Sequence, residues 1–224
     1  MNAKWISQSL IWLAGMGALL FLPAHTVHWP AAWVFLATSG VISLATGWWL
    51  ARTDPDLLAE RMRLAGQADQ PVADKIFMLV LGVVVVIWFI AMGIEHRRQA
   101  AGFPVSLQVL GFVMLLLSTL FITWVLHENS FAAPVVKLQR ERGQRVISTG
   151  PYAWVRHPMY TGAILFCVGI ALLLGSRWGL VMSPIFAVLF AVRARIEERE
   201  LTAGLPGYGD YMMRVRYRLL PGIW

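Results

Sequence analysis

KIFMLVLGVVVVIWFIAMGIEHRR, Lys75 to Arg98, decides the class of fold. From Ile76 to Ile94 it carries no charged side chain, and about 20 consecutive apolar residues suffice for a helix to cross the hydrocarbon core of a bilayer. Three more runs obey the same rule on either side of it: Trp5 to Leu22, Ala31 to Leu50 and Val105 to Leu126, again without a charge. Two shorter apolar runs, Thr161 to Leu174 and Trp178 to Val192, are separated only by Gly175, Ser176 and Arg177 and read as a tight helical hairpin. The chain is 58% hydrophobic and 14% charged over 224 residues, far from the balance of a soluble domain. The expected fold is an all-α integral membrane protein with five to six transmembrane helices, including the C-terminal hairpin, and amphipathic helices on the cytoplasmic side. Lys4 ahead of the first run suits a signal peptide, but no small-x-small cleavage pattern follows Pro23, so that run is read as a span. The single cysteine, Cys167, lies in an apolar run and reads as a packing residue.

The formal charge is +7, and its distribution points to topology rather than to nucleic acid. With six crossings, sixteen of the nineteen basic residues fall on one side, leaving Arg97, Arg98 and Arg177 on the other. The positive-inside rule then puts both termini and the two long loops in the cytoplasm, in an inner membrane of bacterial type. Anionic lipid head groups are the expected partners of these basic loops. One membrane domain is expected, with four N-terminal helices in residues 1–126 and a C-terminal region in 127–224 that holds most of the polar chemistry.

In the loop from Ala51 to Asp74, Asp54 is placed to cap a short helix that Pro55 begins, with Leu57, Leu58, Met62 and Leu64 on its apolar face. A helix lying in the interface is the plainer reading; the lid of a site is the other. His25, His28 and His96 have no cysteine or carboxylate companions at metal-ligand spacing, so no metal is expected. HENSF, from His127, lacks the second histidine of a zinc-protease helix and reads as a helix end among head groups. Further on, in RARIEEREL, Arg193, Glu197 and Leu201 recur at helical spacing while Glu198 and Glu200 point elsewhere. Solvated Arg–Glu pairs explain that pattern at tenths of a kcal/mol each.

GPYAWVRHPMYTG, Gly150 to Gly162, is less easily explained as surface. Gly150-Pro151 makes a turn, and Pro158 keeps a helix from running through His157. Arg156, His157 and Tyr160 are thereby placed at a helix N-terminus, where free N–H groups favour an anion. The plainer alternative is an aromatic and basic belt at the membrane surface, which suits Trp154 and Arg156.

With RARIEEREL and GYGDYMMRVRYRLLP after it, this stretch resembles the isoprenylcysteine carboxyl methyltransferase family, within a broader superfamily that includes phospholipid methyltransferases. RHPxYxG is matched from Arg156 to Gly162, and RxxxEExxL at Arg193, Glu197, Glu198 and Leu201. The resemblance covers about the last hundred residues. It implies a membrane methyltransferase that binds S-adenosylmethionine at the cytoplasmic face and takes a lipidic methyl acceptor from the bilayer, with no metal and no nucleic acid. It also implies that Gln144, Arg145, Val146, Ile147, Tyr152, His157, Pro158, Met159 and Tyr160 hold the cofactor. Glu197 becomes its acidic contact and Arg193 the substrate contact, and these two are the implied catalytic pair. Lys137 stands where relatives can present a glutamine, with Gln139 close by, and PGYGDY departs from the family's usual Phe-Gly.

These residue types suit the chemistry. The cofactor's carboxylate suits a helix N-terminus with His157, its ammonium or ribose hydroxyls suit Glu197, and aromatic walls at Tyr152 and Tyr160 suit adenine and sulfonium. The resemblance implies a prenylated cysteine carboxylate as the favoured acceptor; a carboxylate of any kind needs no general base, and Arg193 can orient it. A phospholipid or other lipid amine is the first alternative, and it would have to lose a proton. An NADPH-dependent membrane reductase would be expected to bring more basic groups for phosphates and a longer chain. A non-enzymatic transporter or assembly factor is the last alternative; a transporter would be expected to show repeats or broken helices near mid-membrane.

Overall fold

The structure is a computed structural model that describes residues 3–63, 66–98 and 102–224. Leu64, expected on the apolar face of the first loop helix, lies outside the described residues. Eight α-helices and no strand are found among them: α1 (Ala3–Ala24), α2 (Pro30–Thr53), α3 (Pro55–Arg61), α4 (Val72–Arg98), α5 (Val105–Glu128), α6 (Pro158–Leu173), α7 (Arg177–Gly204) and α8 (Tyr208–Arg214). Five helices, α1, α2, α4, α5 and α7, are long and apolar enough to cross a membrane. The sixth apolar run forms α6, only 16 residues, or about 24 Å at 1.5 Å per residue.

Exposed apolar side chains are what a lipid-facing surface requires. Ile11, Val41, Leu79, Val113, Leu120 and Val188 all point outward, a pattern that in water would be an aggregation liability. The protein is an integral membrane protein. Inside the bundle, Trp88 of α4 meets Phe186 of α7 edge-on at 4.9 Å, and its indole N–H donates to the Gly179 carbonyl at 2.9 Å. That bond satisfies the one polar atom of a side chain only 1% exposed.

The expected hairpin is present. Gly175 turns it with φ of 69°, a conformation that suits glycine. Glu95, at the end of α4, accepts from the Ser176 hydroxyl and from the Arg177 and Trp178 backbone N–H groups. A carboxylate thus meets the otherwise unpaired N–H groups that open α7. As a result α7 returns along α6 and continues past the apolar region, carrying Arg193 to Glu198 back to the level of the RHP turn.

Helices α5 and α6 cross with their backbones close together. A Cβ on Gly111 would stand 2.3 Å from the Leu173 nitrogen, and one on Gly169 would stand 2.9 Å from the Leu115 nitrogen. Small residues at such crossings let helices gain contact that apolar bulk alone does not supply in lipid. At the opposite margin, Asp54 ends α2 and begins α3: its N–H donates to the Leu50 carbonyl and its carboxylate accepts from Leu57 N–H, each at 2.9 Å. Leu57 and Leu58 are buried against Leu50 and Leu126, so α3 is clamped onto the bundle rather than resting on its surface.

Gly111→Leu and Gly169→Leu are each expected to lower the thermal midpoint in detergent by the equivalent of about 2 kcal/mol or more, from overpacking. Gly82→Leu, where an added Cβ meets nothing within 4 Å, is expected to leave it unchanged. Equal midpoints for all three would show that the α5–α6 contact is loose.

Candidate functional site

The ends of α2, α4, α5 and α7 that carry most of the basic residues meet a long connection between α5 and α6, residues 129–157. This segment has only two short 3-10 turns, at Arg140–Arg142 and Gly150–Ala153, so anchors outside it must hold its path. Asp74, in the first turn of α4 and fully buried, supplies one: it accepts from the Val136 N–H and from Gln70, each at 2.8 Å. The same carboxylate pairs with Arg193 at 3.1 Å. Lys137 is held by Glu60 of α3 at 2.6 Å and by Gln67 at 3.0 Å. Gln139 is buried and bonded within the segment, to the Phe131 carbonyl and the Gln144 side chain.

The second anchor is the RHP turn. The His157 backbone adopts φ −125° and ψ 61°, outside the helical region, and α6 starts at Pro158, as the residue before a proline requires. Arg156 is buried, contrary to the surface-belt reading. Its guanidinium donates to Glu198 at 2.6 Å and to the Val215 and Arg216 carbonyls at 2.8 and 2.9 Å. The N–H groups of Arg156 and His157 donate to the carbonyls of Tyr217 and Arg218, each at 2.9 Å. Trp154, exposed and edge-on to Trp124 at 5.6 Å, does fit a belt.

These anchors leave an open cleft. Gln144, Arg145, Val146, Ile147, Tyr152, His157, Met159, Tyr160 and Glu197 all line it. The structure therefore gathers nine of the expected site residues, from three separate parts of the chain, around one space. Lys137 also lines it, whereas Gln139, Pro158 and Arg193 do not. Arg193 is buried behind the wall: its guanidinium lies 5.6 Å from the Tyr160 ring and 5.1 Å from that of Phe77, and donates to the Pro134 carbonyl. The cleft is partly open to its surroundings, with about 90 Å³ of space, room for a few waters.

Glu197 is the polar centre of the cleft. The Tyr160 hydroxyl donates to it at 2.6 Å, and His157 Nδ1 lies 3.2 Å away. The other ring nitrogen of His157 faces Glu198 at 3.3 Å. Burial alone would lower the His157 pKa, but hydrogen bonds to the two carboxylates outweigh it and raise the value above that of an ordinary histidine. Glu198 leaves the stripe of Arg193, Glu197 and Leu201, as helical spacing suggested, but it does not point into solvent. It is buried beside Glu197 and pairs with Arg156 and Arg218, so the solvated-face reading fails for the second glutamate of the motif.

Several cleft residues escaped the sequence reading. HENSF is a helix end, as expected, with α5 stopping at Glu128, but Asn129 after it lines the cleft and donates to the Tyr152 hydroxyl at 2.8 Å. Tyr211 of α8 donates to the Tyr152 carbonyl at 2.8 Å, and Tyr208 lines the cleft with a buried hydroxyl that finds no partner among the described residues. The available signal was polarity at a helix end for Asn129 and two tyrosines at helical spacing for α8. His25 and His96 are occupied otherwise: His25 lies 3.3 Å from Arg97, and His96 stacks on Trp29 with centroids 4.1 Å apart.

The fold and cleft define a helical membrane protein with a polar site at one end of its bundle, built on the RHP turn and an Arg-Glu-Glu helix. A family model described as phospholipid methyltransferase matches residues 107–206, which hold both motifs. Protein-S-isoprenylcysteine O-methyltransferase of Saccharomyces cerevisiae is 35% identical over 97 residues, 42% of this chain and 40% of that one. The present chain thus matches about two fifths of that relative's length. A solved structure of the eukaryotic intramembrane Ras methyltransferase, isoprenylcysteine carboxyl methyltransferase, matches with a TM-score of 0.58 at 20% identity, over 94% of this chain and 75% of that chain. The resemblance to the isoprenylcysteine carboxyl methyltransferase family is thus borne out, in sequence over the C-terminal part and in fold over nearly the whole chain.

With its pKa raised, His157 contributes stability that is complete below the unfolded value of about 6.5 and is lost as pH rises through the folded value. The melting temperature of the wild type is expected to fall, as pH rises above about 6.5, more steeply than that of His157→Gln. Parallel curves would mean the ring is neutral in the fold.

Proposed function

We propose that this protein is an S-adenosylmethionine-dependent methyltransferase that methylates the carboxylate of a lipidic acceptor, a prenylated cysteine above all. The observation that carries the reading is Glu197, a carboxylate fixed by Tyr160 and His157 at the centre of a cleft that the RHP and Arg-Glu-Glu motifs share. In this reading residues 127–224 are the cofactor-binding region and residues 1–126 the helical scaffold beside it. The basic end of the bundle faces the cytoplasm of a bacterial-type inner membrane, with Arg and Lys side chains on anionic lipids.

The residues present fit such a cofactor. The backbone of Arg145, Val146 and Ile147 makes no hydrogen bond among the described residues, so it is free to pair with a ligand along the cleft edge. The unpartnered Tyr208 hydroxyl offers a further donor, and a buried polar group without a partner costs about 1–3 kcal/mol until something meets it. Glu197, with 30% of its side chain exposed, accepts from an ammonium or ribose hydroxyls. Tyr152 offers its ring to adenine or to positive charge; the Tyr160 ring is stacked on His157 and Phe190, so that residue contributes through its hydroxyl on Glu197, while Gln144, Met159 and Pro158 shape the wall and the start of α6.

When bound, the cofactor supplies a methyl group already activated on a sulfonium. The protein's part is alignment and exclusion of water. His157 and Tyr160 hold the Glu197 carboxylate still. Arg193 is assigned to the acceptor side, sharing its charge with Asp74 and setting the Tyr160 ring between acceptor and cleft. Transfer to a carboxylate oxygen would break the sulfur–carbon bond as the oxygen–carbon bond formed and release a neutral thioether, so no residue of this chain would have to take up a proton. The description of the matching family as phospholipid methyltransferases supports a second reading, transfer to a lipid amine.

Calorimetry on the purified protein is expected to show S-adenosylmethionine binding that Glu197→Gln weakens at least about tenfold, or 1.4 kcal/mol. Membranes given methyl-labelled cofactor are expected to yield base-labile label, the mark of an ester. Base-stable label would favour the amine, and tighter binding of NADPH would overturn the methyltransferase reading.

A further inference from the structure

A second space lies within the bundle, about 750 Å³ and lined mostly by apolar atoms, between α1, α2 and α5 with contributions from α4 and α6. Its size falls within the range of about 300–1,000 Å³ typical of small-ligand sites. Trp5, Ile42, Ile122 and Phe166 give it apolar walls. The polar groups in it are mostly satisfied locally: Ser9 and Ser43 bond each other at 2.8 Å, and Thr119 and Thr123 bond carbonyls of their own helix.

One charged side chain lines this cavity, Arg61 at the end of α3. Among the described residues no carboxylate lies within ion-pair distance of it, unlike the buried Arg156 and Arg193. Its only hydrogen bond among them goes to the Ala132 carbonyl at 3.0 Å. Ala132 and Tyr152 belong to the wall of the cleft, and the Tyr152 hydroxyl is close enough to act on Arg61 electrostatically. Burial lowers the Arg61 pKa, yet a guanidinium stays charged in proteins. The apolar cavity therefore ends in a half-buried guanidinium that has no carboxylate partner among the described residues and is hydrogen-bonded to Ala132 of the cleft wall, and taking a charge out of water is costly until a counter-charge arrives.

We propose that Arg61 receives the anionic head of the lipid acceptor while the acceptor's single apolar chain lies in the cavity, placing the head beside the cleft. This rests on the lipid methyltransferase reading above and adds the residue that selects a carboxylate over an uncharged or amine-bearing lipid. Arg193 is less suited to that selection because Asp74 already balances its charge. The loop helix α3 then works as the reader of the head group, which is more specific than either an interfacial helix or a lid.

The probes are N-acetyl-S-farnesylcysteine, its uncharged primary amide and a single-chain lysophosphatidic acid, with binding measured on the detergent-solubilised full chain. Wild type is expected to bind the acid at least tenfold more tightly than the amide. Arg61→Met, and Arg61→Gln, which keeps a donor for Ala132, are expected to bring that ratio to within about twofold, with amide affinity unchanged. A wild type without preference, or a preference that survives both variants, overturns the proposal, and lysophosphatidic acid binding more tightly than the farnesylated acid overturns the carboxylate assignment. Melting temperature reports folding of the variants. Should both unfold, a photoactivatable farnesyl analogue decides: labelling of the cavity walls in wild type supports the proposal and labelling elsewhere overturns it. Cofactor binding, measured separately, fails only if the methyltransferase reading fails.

Discussion

A buried carboxylate, Glu198, meets two guanidinium groups and an imidazole from two distant parts of the chain. Arg156 and Arg218 donate to it at 2.6 and 2.8 Å, and His157 stands 3.3 Å away. Buried ions gain little over apolar packing, but removing one partner strands the others at about 3–5 kcal/mol. Glu198 therefore specifies geometry: it fixes the end of α7 against the start of α6 and against the chain after α8. Glu197, one residue earlier, then has a single direction in which to point. The cleft exists because its neighbour is locked.

Asp74 plays the corresponding part on the other side. It joins the start of α4, the backbone of Val136 and Arg193 in one contact set. A connection with almost no regular structure keeps its backbone groups presented to the cleft because two carboxylates, each from a helix end, hold what lies on either side of it. In a membrane protein such polar joints belong at the ends of helices, where water and head groups cover what the joint leaves exposed, while the apolar centre is left to ring and glycine contacts.

Much of this was legible in the sequence. Charge-free runs of bilayer length gave the helices, Asp54-Pro55 gave the boundary between α2 and α3, and His157-Pro158 gave the start of α6, because each rests on local physics. The nine gathered site residues came from motif resemblance, which carries long-range geometry that periodicity does not. Glu198 was misplaced because spacing along one helix says which residues share a stripe, not what a distant tail will bring to the other stripe. Asn129 and Asp74 were missed for the same reason: their meaning lies in partners 23 or more positions away, Tyr152 and Val136. Arg61 looked like one basic residue among many in a loop, and only the structure shows that no acid among the described residues balances it.

The shortness of α6 has a bearing on where chemistry takes place. A helix of 16 residues reaches about 24 Å, several Å less than the hydrocarbon thickness of about 30 Å. Its first residue is where the RHP turn sits, and its last is where the hairpin turns, so a crossing built on α6 would need a locally thinned bilayer or a turn below the head-group plane. In such a crossing the polar cleft would be recessed toward the acyl chains. A lipid could meet it without being lifted out of its leaflet, and the desolvation that extraction demands would never arise.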